Sequence, residues 1–135
     1  RRSRIDGGGI DGRWIGGHVL MDPRAGEGDS RKIGIAGPPI KTEIGWLLLY
    51  HGISRKEDHH YHLRAALLDL HNPARVLVRT RLPILEPRMP YELDGLVGRV
   101  VFSCGAVVVK HILHVYYGGA DKVTAVASIP LAELL

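Results

Sequence analysis

The sequence predicts an all-β fold assembled from a repeated unit, and three observations carry that prediction. Short segments rich in Val, Ile, Leu and aromatic residues recur along the chain, each of strand length and each bounded by Gly, Pro, Asn or charged turn residues. Helical spacing of apolar residues is scarce, with residues 61–70 as the one rival. The chain also echoes itself: strand, turn, strand ending in Tyr-X-Gly, loop, strand, and then the same order again.

Residues 1–31 commit least, because Gly7, Gly8, Gly9, Gly12, Gly16, Gly17, Gly26 and Gly28 interrupt every apolar stretch. They read as turns with two short strands, at Trp14-Ile15 and at His18-Val19-Leu20-Met21. A strand starts at Ile40-Lys41, turns at 43–45, and gives way to strands at 46–51, 63–68, 75–79, 100–102, 106–109, 112–117 and 123–129. Within 61–70, Leu63, Leu67, Leu68 and Leu70 also fit a helix face, but the following His71-Asn72-Pro73 turn and the strand-like Val76-Leu77-Val78 favour a hairpin. Residues 131–135 form a last helical turn or simply trail off.

The echo is specific in its landmarks. Gly37 leads through Ile40-Lys41 into the strand ending Tyr50-His51-Gly52 and then into residues 65–70. Gly105 leads through 106–109 and a turn at Lys110-His111 into the strand ending Tyr116-Tyr117-Gly118, then into 124–129. A short multi-strand unit repeating every several tens of residues is the sequence sign of a β-propeller. Two such units do not close a ring, and their open edges invite pairing with other chains.

Composition narrows the class. The 135 residues carry a formal charge of +4, spread over scattered Arg rather than one basic run interleaved with aromatics, so a nucleic-acid partner has little support. No apolar run is long enough to cross a membrane as a helix. The single cysteine, Cys104, cannot form an internal disulfide, which fits a reducing compartment, and the cytoplasm is the expected location. With no activating base nearby in sequence, Cys104 is expected to be a buried apolar thiol. Gly7-Gly8-Gly9-Ile10-Asp11-Gly12 has the spacing of a dinucleotide loop but lacks the preceding strand and following helix, so it reads as a turn. Asp58-His59-His60-Tyr61-His62 has metal-binding residue types at no structural-zinc spacing and reads as a polar loop, so no metal site is expected.

Several separated blocks stand in an informative order: residues 32–52 (KIGIAGPPIKTEIGWLLLYHG), 61–70 (YHLRAALLDL), 83–87 (PILEP), Tyr91-Glu92, 100–105 and 116–121 (YYGGAD). Together they resemble the signature of glycoside hydrolase family 130, the β-mannoside phosphorylases. The resemblance implies a five-bladed β-propeller of more than twice this length, with this chain as its C-terminal portion of about two to three blades. Residues 32–135 would supply the C-terminal blades and 1–31 a partial one; an opening on Arg1 rather than Met agrees with truncation or processing. The implied reaction is attack of inorganic phosphate on a β-mannosidic bond with inversion, giving α-mannose 1-phosphate. It needs a carboxylic acid for the leaving oxygen and cationic or hydrogen-bonding groups for phosphate, with no organic cofactor. The acid aspartate and an arginine cluster of the family have no matching motif here, so no catalytic residue is assigned and the chain alone is expected to be inactive.

Four residues match phosphate- and sugar-binding positions of that family. Lys41, in the Pro38-Pro39-Ile40-Lys41-Thr42 turn, brings a compact ammonium suited to a phosphate oxygen or a sugar hydroxyl; by itself it would read as a solvated lysine. His51 ends an apolar strand and has an imidazole able to donate to an anion, the plainer alternative being a satisfied edge residue. Tyr61 matches a tyrosine facing the site, or is simply packed, and Asp121 matches a carboxylate at the mannose subsite, or is a turn aspartate. Departures from the pattern are Gly98-Arg99 where Pro-Asn is usual, Ser103 where proline is common, Arg64 where a small residue is usual, and Gly28 near a usual aromatic. Arg64 is expected to clash where blades pack closely. Three readings follow: part of a mannoside phosphorylase, a related mannoside hydrolase that lacks the basic groups, or a non-catalytic sugar-binding module in which several copies close a ring.

Overall fold

The computed structural model describes residues 17–56 and 60–135. The expected strand at Trp14-Ile15, the Gly7–Gly12 turn and residues 58 and 59 of the His-rich loop lie outside the described residues. Two antiparallel sheets carry the fold. The first combines β1 (Lys32–Ile35), β2 (Ile40–Lys41), β3 (Trp46–Ile53), β4 (His62–Leu68) and β5 (Val76–Arg79) in the order β1-β3-β4-β5, with β2 also on β3. The second is the meander β6 (Val101–Val109), β7 (Ile112–Gly119) and β8 (Val123–Pro130). A short helix, α1 (Pro90–Leu93), precedes β6, and a 3-10 turn at Leu131–Glu133 follows β8. Among the described residues no helix is long and apolar enough to cross a membrane.

β3 is an unbroken apolar run because both of its faces are covered. Leu47 and Leu49 point into a core shared with Leu63, Ala65, Leu113 and Val115, which joins the two sheets. Leu48 and Tyr50 point the other way, onto Ala66 and Leu68, where Leu20 and Met21 also pack. β4 divides in the same manner, Leu63 and Ala65 to one face and Ala66 and Leu68 to the other. That alternation of period two settles the helix-or-strand choice at 61–70 in favour of the hairpin. β1 and β2 lie end to end along the same edge of β3, interrupted at 36–39, where Gly37 adopts φ 137° and the two prolines sit harmlessly on an edge.

Three expectations change. Residues 18–21 form no strand; Leu20 and Met21 cover the face of the first sheet instead of extending its edge. The segments 100–102 and 106–109 are one strand, β6, joined through a bulge between Ser103 and Gly105 that the Ser103 hydroxyl bridges by donating to the Tyr116 carbonyl at 2.9 Å. Cys104 is exposed rather than buried, because Ser103 takes the inward position at the bulge. β1 and α1 had no counterpart among the expected elements.

The covering segment is pinned by Asp29, which is fully buried. Its carboxylate accepts from Arg24 Nε at 3.1 Å, from the Tyr50 hydroxyl at 2.9 Å and from Arg79 Nη2 at 2.6 Å. Burial by itself would raise the Asp29 pKa, but the hydrogen bonds from Arg24 and Tyr50 and the two guanidinium charges outweigh it and hold the group below its ordinary value. Nearby, Arg64 does not clash. It is 2% exposed, donates Nη1 to the Arg81 carbonyl at 2.8 Å, and fills space that Gly28 and Gly52 leave open. A Cβ at position 28 would stand 2.0 Å from Arg64 Nη2, so arginine at 64 and glycine at 28 are mutually complementary.

Candidate functional site

The expected site residues divide between the two ends of the sheets. β3 carries His51 toward its C-terminal end, paired with Gly34 of β1 on one side and Leu63 of β4 on the other. Being two residues on from Leu49, its side chain turns toward the second sheet. Tyr61 stands immediately before β4 and forms a parallel bridge with Val100, the residue leading into β6. Asp121 lies on the β7–β8 turn, whose Ala120 donates its amide to that same Val100 carbonyl at 2.9 Å. His51, Tyr61 and the Asp121 turn thus share one end of the fold. Lys41 does not. It pairs with Trp46, five residues back along β3, a distance of about 16 Å at the usual strand rise. There its ammonium lies 5.7 Å from the Trp46 ring centroid, beside a mostly apolar cavity of about 620 Å³ lined by Ile44, Val108, His111, Leu131 and Leu135.

A cation that the fold does bring to Tyr61 is Lys32, the first residue of β1, placed opposite Ile53. Lys32 Nζ donates to the Tyr61 hydroxyl at 3.2 Å and lies 5.6 Å from its ring centroid. The tyrosine oxygen, accepting from the ammonium, keeps its own proton to give away, and the ammonium keeps two more. Such a pair offers convergent donors to an oxyanion. Lys32 and Lys41 both fall in the same sequence block, and only the pairing register along β3 separates their positions.

His51 sits beneath this pair. It is 2% exposed, its ring stacks on Phe102 at 4.1 Å between centroids, and Tyr61 stands edge-on at 6.0 Å. Its Nε2 accepts the Ser103 backbone N–H at 2.9 Å, which assigns the ring proton to Nδ1. Burial pushes its pKa down to about 4, so the imidazole is neutral at physiological pH. A proline at position 103 would have no N–H for this bond; the serine spends its amide on it. Phe102 entered the sequence only as part of a strand, and nothing in its spacing announces the stacking role.

The Asp121 turn has the left-handed backbone of a tight hairpin, as does Lys110-His111 between β6 and β7. Ala120 and Asp121 both adopt left-handed φ, 48° and 52°, although neither is glycine. A shelf formed by residues 95–100 supports them: the Val97 amide donates to the Ala120 carbonyl at 3.1 Å, and Gly95 packs so closely that a Cβ there would lie 2.3 Å from that oxygen. Between the residues that flank Tyr61 and Arg99 of this shelf is a small recess of about 120 Å³ lined by His60, His62, Glu86, Pro87, Leu93 and Arg99. Among the described residues no three His, Cys, Asp or Glu side chains gather as a metal-holding group.

Comparison with known proteins gives the relatives of the chain as a whole. Residues 16–135 match the model of glycoside hydrolase family 130, described as beta-1,4-mannooligosaccharide phosphorylase. The chain is 53% identical over 109 residues to a beta-1,2-mannobiose phosphorylase from Thermoanaerobacter sp., covering 81% of this chain and 35% of that protein. It is 36% identical over 113 residues to the beta-1,4-mannooligosaccharide phosphorylase of Ruminococcus albus, covering 82% and 33%. Among solved structures, the beta-1,2-mannobiose phosphorylase of Listeria innocua in complex with beta-1,2-mannobiose superposes with a TM-score of 0.79 at 48% identity, covering 85% of this chain and 32% of that one. The chain spans about a third of the length of the curated relatives it matches. Solved members of the family are five-bladed β-propellers, and the two sheets described above are a part of that fold.

Proposed function

This chain belongs to glycoside hydrolase family 130, and on that footing we propose that it forms one wall of a β-mannoside phosphorylase site, with β-1,2-linked mannobiose as the favoured substrate class. The linkage follows the relatives at higher identity, which are named for β-1,2-mannobiose. The observation that carries the phosphate side is the pairing of Lys32 Nζ with the Tyr61 hydroxyl at the end of the fold that also bears Asp121. Donors on Lys32 and Tyr61 would hold phosphate oxygens, and the Asp121 carboxylate would accept from mannose hydroxyls. A phosphate oxygen forms a bond to the anomeric carbon while the glycosidic C–O bond breaks, with a proton delivered to the departing oxygen. His51 supports Tyr61 from below as a neutral ring.

Among the described residues at this end, the buried carboxylate does not supply that proton. Glu92 is the buried carboxylate here, and its Oε2 accepts the Arg88 amide at 2.7 Å and the Met89 amide at 2.8 Å, while Oε1 accepts the Tyr117 hydroxyl. Burial would raise its pKa, but these three hydrogen bonds prevail and hold it below the ordinary carboxylate value, which makes it a poor general acid near neutral pH. The acid is therefore expected to be a residue other than Glu92. The lysine and tyrosine donors favour phosphate over water as the nucleophile, against a hydrolase reading.

Titration calorimetry of the 135-residue chain with inorganic phosphate and with β-1,2-mannobiose, alongside an assay for mannose 1-phosphate, tests the proposal. Binding of both ligands is expected, phosphate binding weakening about tenfold in Lys32→Ala and in Tyr61→Phe and unchanged in Lys41→Ala, with no mannose 1-phosphate released. Loss of phosphate binding in Lys41→Ala but not in Lys32→Ala would overturn the site, and turnover by the chain alone would show that the acid is present within it.

A further inference from the structure

We propose that Glu92 is a positioning residue that sets the Asp121 turn relative to Tyr61, acting through Tyr117 and the 95–100 shelf; this rests on Asp121 being the sugar-side group of the proposed site. The left-handed pair Ala120-Asp121 closes the β7–β8 hairpin as Lys110-His111 closes the β6–β7 hairpin, and what sets it apart is that Ala120 is buried against residues 95–100. Ala120 is fully buried, and both of its backbone polar groups are committed to the shelf, the amide to Val100 and the carbonyl to Val97. The shelf in turn hangs from α1: the Val100 amide donates to the Glu92 carbonyl at 3.2 Å.

The Glu92 side chain then ties α1 to β7. One carboxylate oxygen takes the Arg88 and Met89 amides, and the other takes the hydroxyl of Tyr117, which is buried on β7 two residues before Gly119. Val100 is the shared element: its backbone bridges Tyr61 on one side and receives the Ala120 amide on the other. A single buried carboxylate thereby holds the segment that spaces the two proposed ligand-binding side chains. Glu92 and Tyr117 are both buried, and their polar side-chain atoms are engaged with each other and with the Arg88 and Met89 amides, so the role is one of placement and not of contact.

Amide hydrogen exchange on the full chain, together with the affinity for β-1,2-mannobiose, tests this. Glu92→Gln keeps the shape and removes the charge, Tyr117→Phe removes the hydroxyl, and Gly95→Ala presses a methyl group against Ala120 without touching either. In all three variants the Ala120 and Val97 amides are expected to exchange about tenfold faster, while the Leu63 amide in the first sheet and the Leu131 amide at the far end of the second keep their rates. Sugar affinity should fall about fivefold or more with phosphate affinity unchanged. Uniformly faster exchange at all four amides would mark Glu92 as a general stabiliser and overturn the proposal, as would local loosening with unaltered sugar affinity. A wild-type chain that binds no mannobiose would sink the functional reading, and the exchange pattern would still decide whether Glu92 holds the turn.

Discussion

Between pH 7.5 and 5, acid should weaken this protein through His51. The imidazole is nearly fully buried against Phe102 and Tyr61, and its Nε2 already faces the Ser103 N–H, so an added proton would set donor against donor in an apolar setting. Its pKa falls from the ordinary 6.5 to about 4. Because the folded value lies below the unfolded one, the unfolded chain binds more protons in between, and stability is complete above 6.5 and declines as pH drops toward 4. The whole interval corresponds to about 3 kcal/mol, and about 2 kcal/mol of it is lost between pH 7.5 and pH 5. Against the 5–15 kcal/mol typical of small domains that loss is large. The window is favourable, since Asp29 and Glu92, with depressed values, surrender their contributions only as pH falls below their ordinary 3.8 and 4.5. Urea unfolding followed by tryptophan fluorescence at several pH values measures it, with His51→Gln, whose amide oxygen can still accept from Ser103, as the reference. The expected result is a pH slope in the wild type that His51→Gln flattens. Parallel curves for the two proteins, or a His51 ring proton titrating near 6.5 in the folded state, would refute the reasoning.

Two further outcomes follow from the covering segment. Gly28→Phe should destabilise the chain by about 2 kcal/mol or more, since Arg64 already occupies the space, and Arg64→Gly should recover a large part of that loss. A double-mutant cycle by denaturant melts measures the coupling, and independent, additive effects would mean that positions 28 and 64 do not share the space. Asp29→Asn should cost about 2–3 kcal/mol, at or below the low end for a broken buried ion pair because Arg24 is partly open to solvent. A loss under about 1 kcal/mol by the same melts would show that Arg24 and Arg79 do not depend on Asp29.

Much of the architecture was legible because strands advertise themselves locally. The apolar run at 46–51, the turn residues at 71–73 and the Lys110-His111 hairpin all carry their signal within a few residues, and the repeated Tyr-X-Gly order pointed to stacked sheets. β1 escaped because Lys32-Ile33-Gly34-Ile35 is short, glycine-containing and mostly exposed, and becomes a strand only by pairing with residues 50–53. α1 escaped because four residues carry no period; the buried Glu92 carboxylate ties it into the fold from within. The strand expected at 18–21 had suitable residues, but Leu20 and Met21 pack across the face of the first sheet instead of pairing at its edge.

The candidate site shows where local information stops. By itself the sequence determined the strand alphabet, the repeat and the family blocks, for these depend on residue types at short spacing. It also supplied two lysines in one block and four polar residues in family positions, with no means of saying which converge. Only the tertiary structure decided that Lys32 meets Tyr61 while Lys41 lies at the other end of β3, because pairing register moves a side chain about 3.3 Å per residue along the strand. Only the tertiary structure made His51 neutral, since the amide that captures its Nε2 comes from 52 residues away and the burial that lowers its pKa comes from a second sheet. Burial and partners are sums over distant neighbours, and a protonation state is set by those sums.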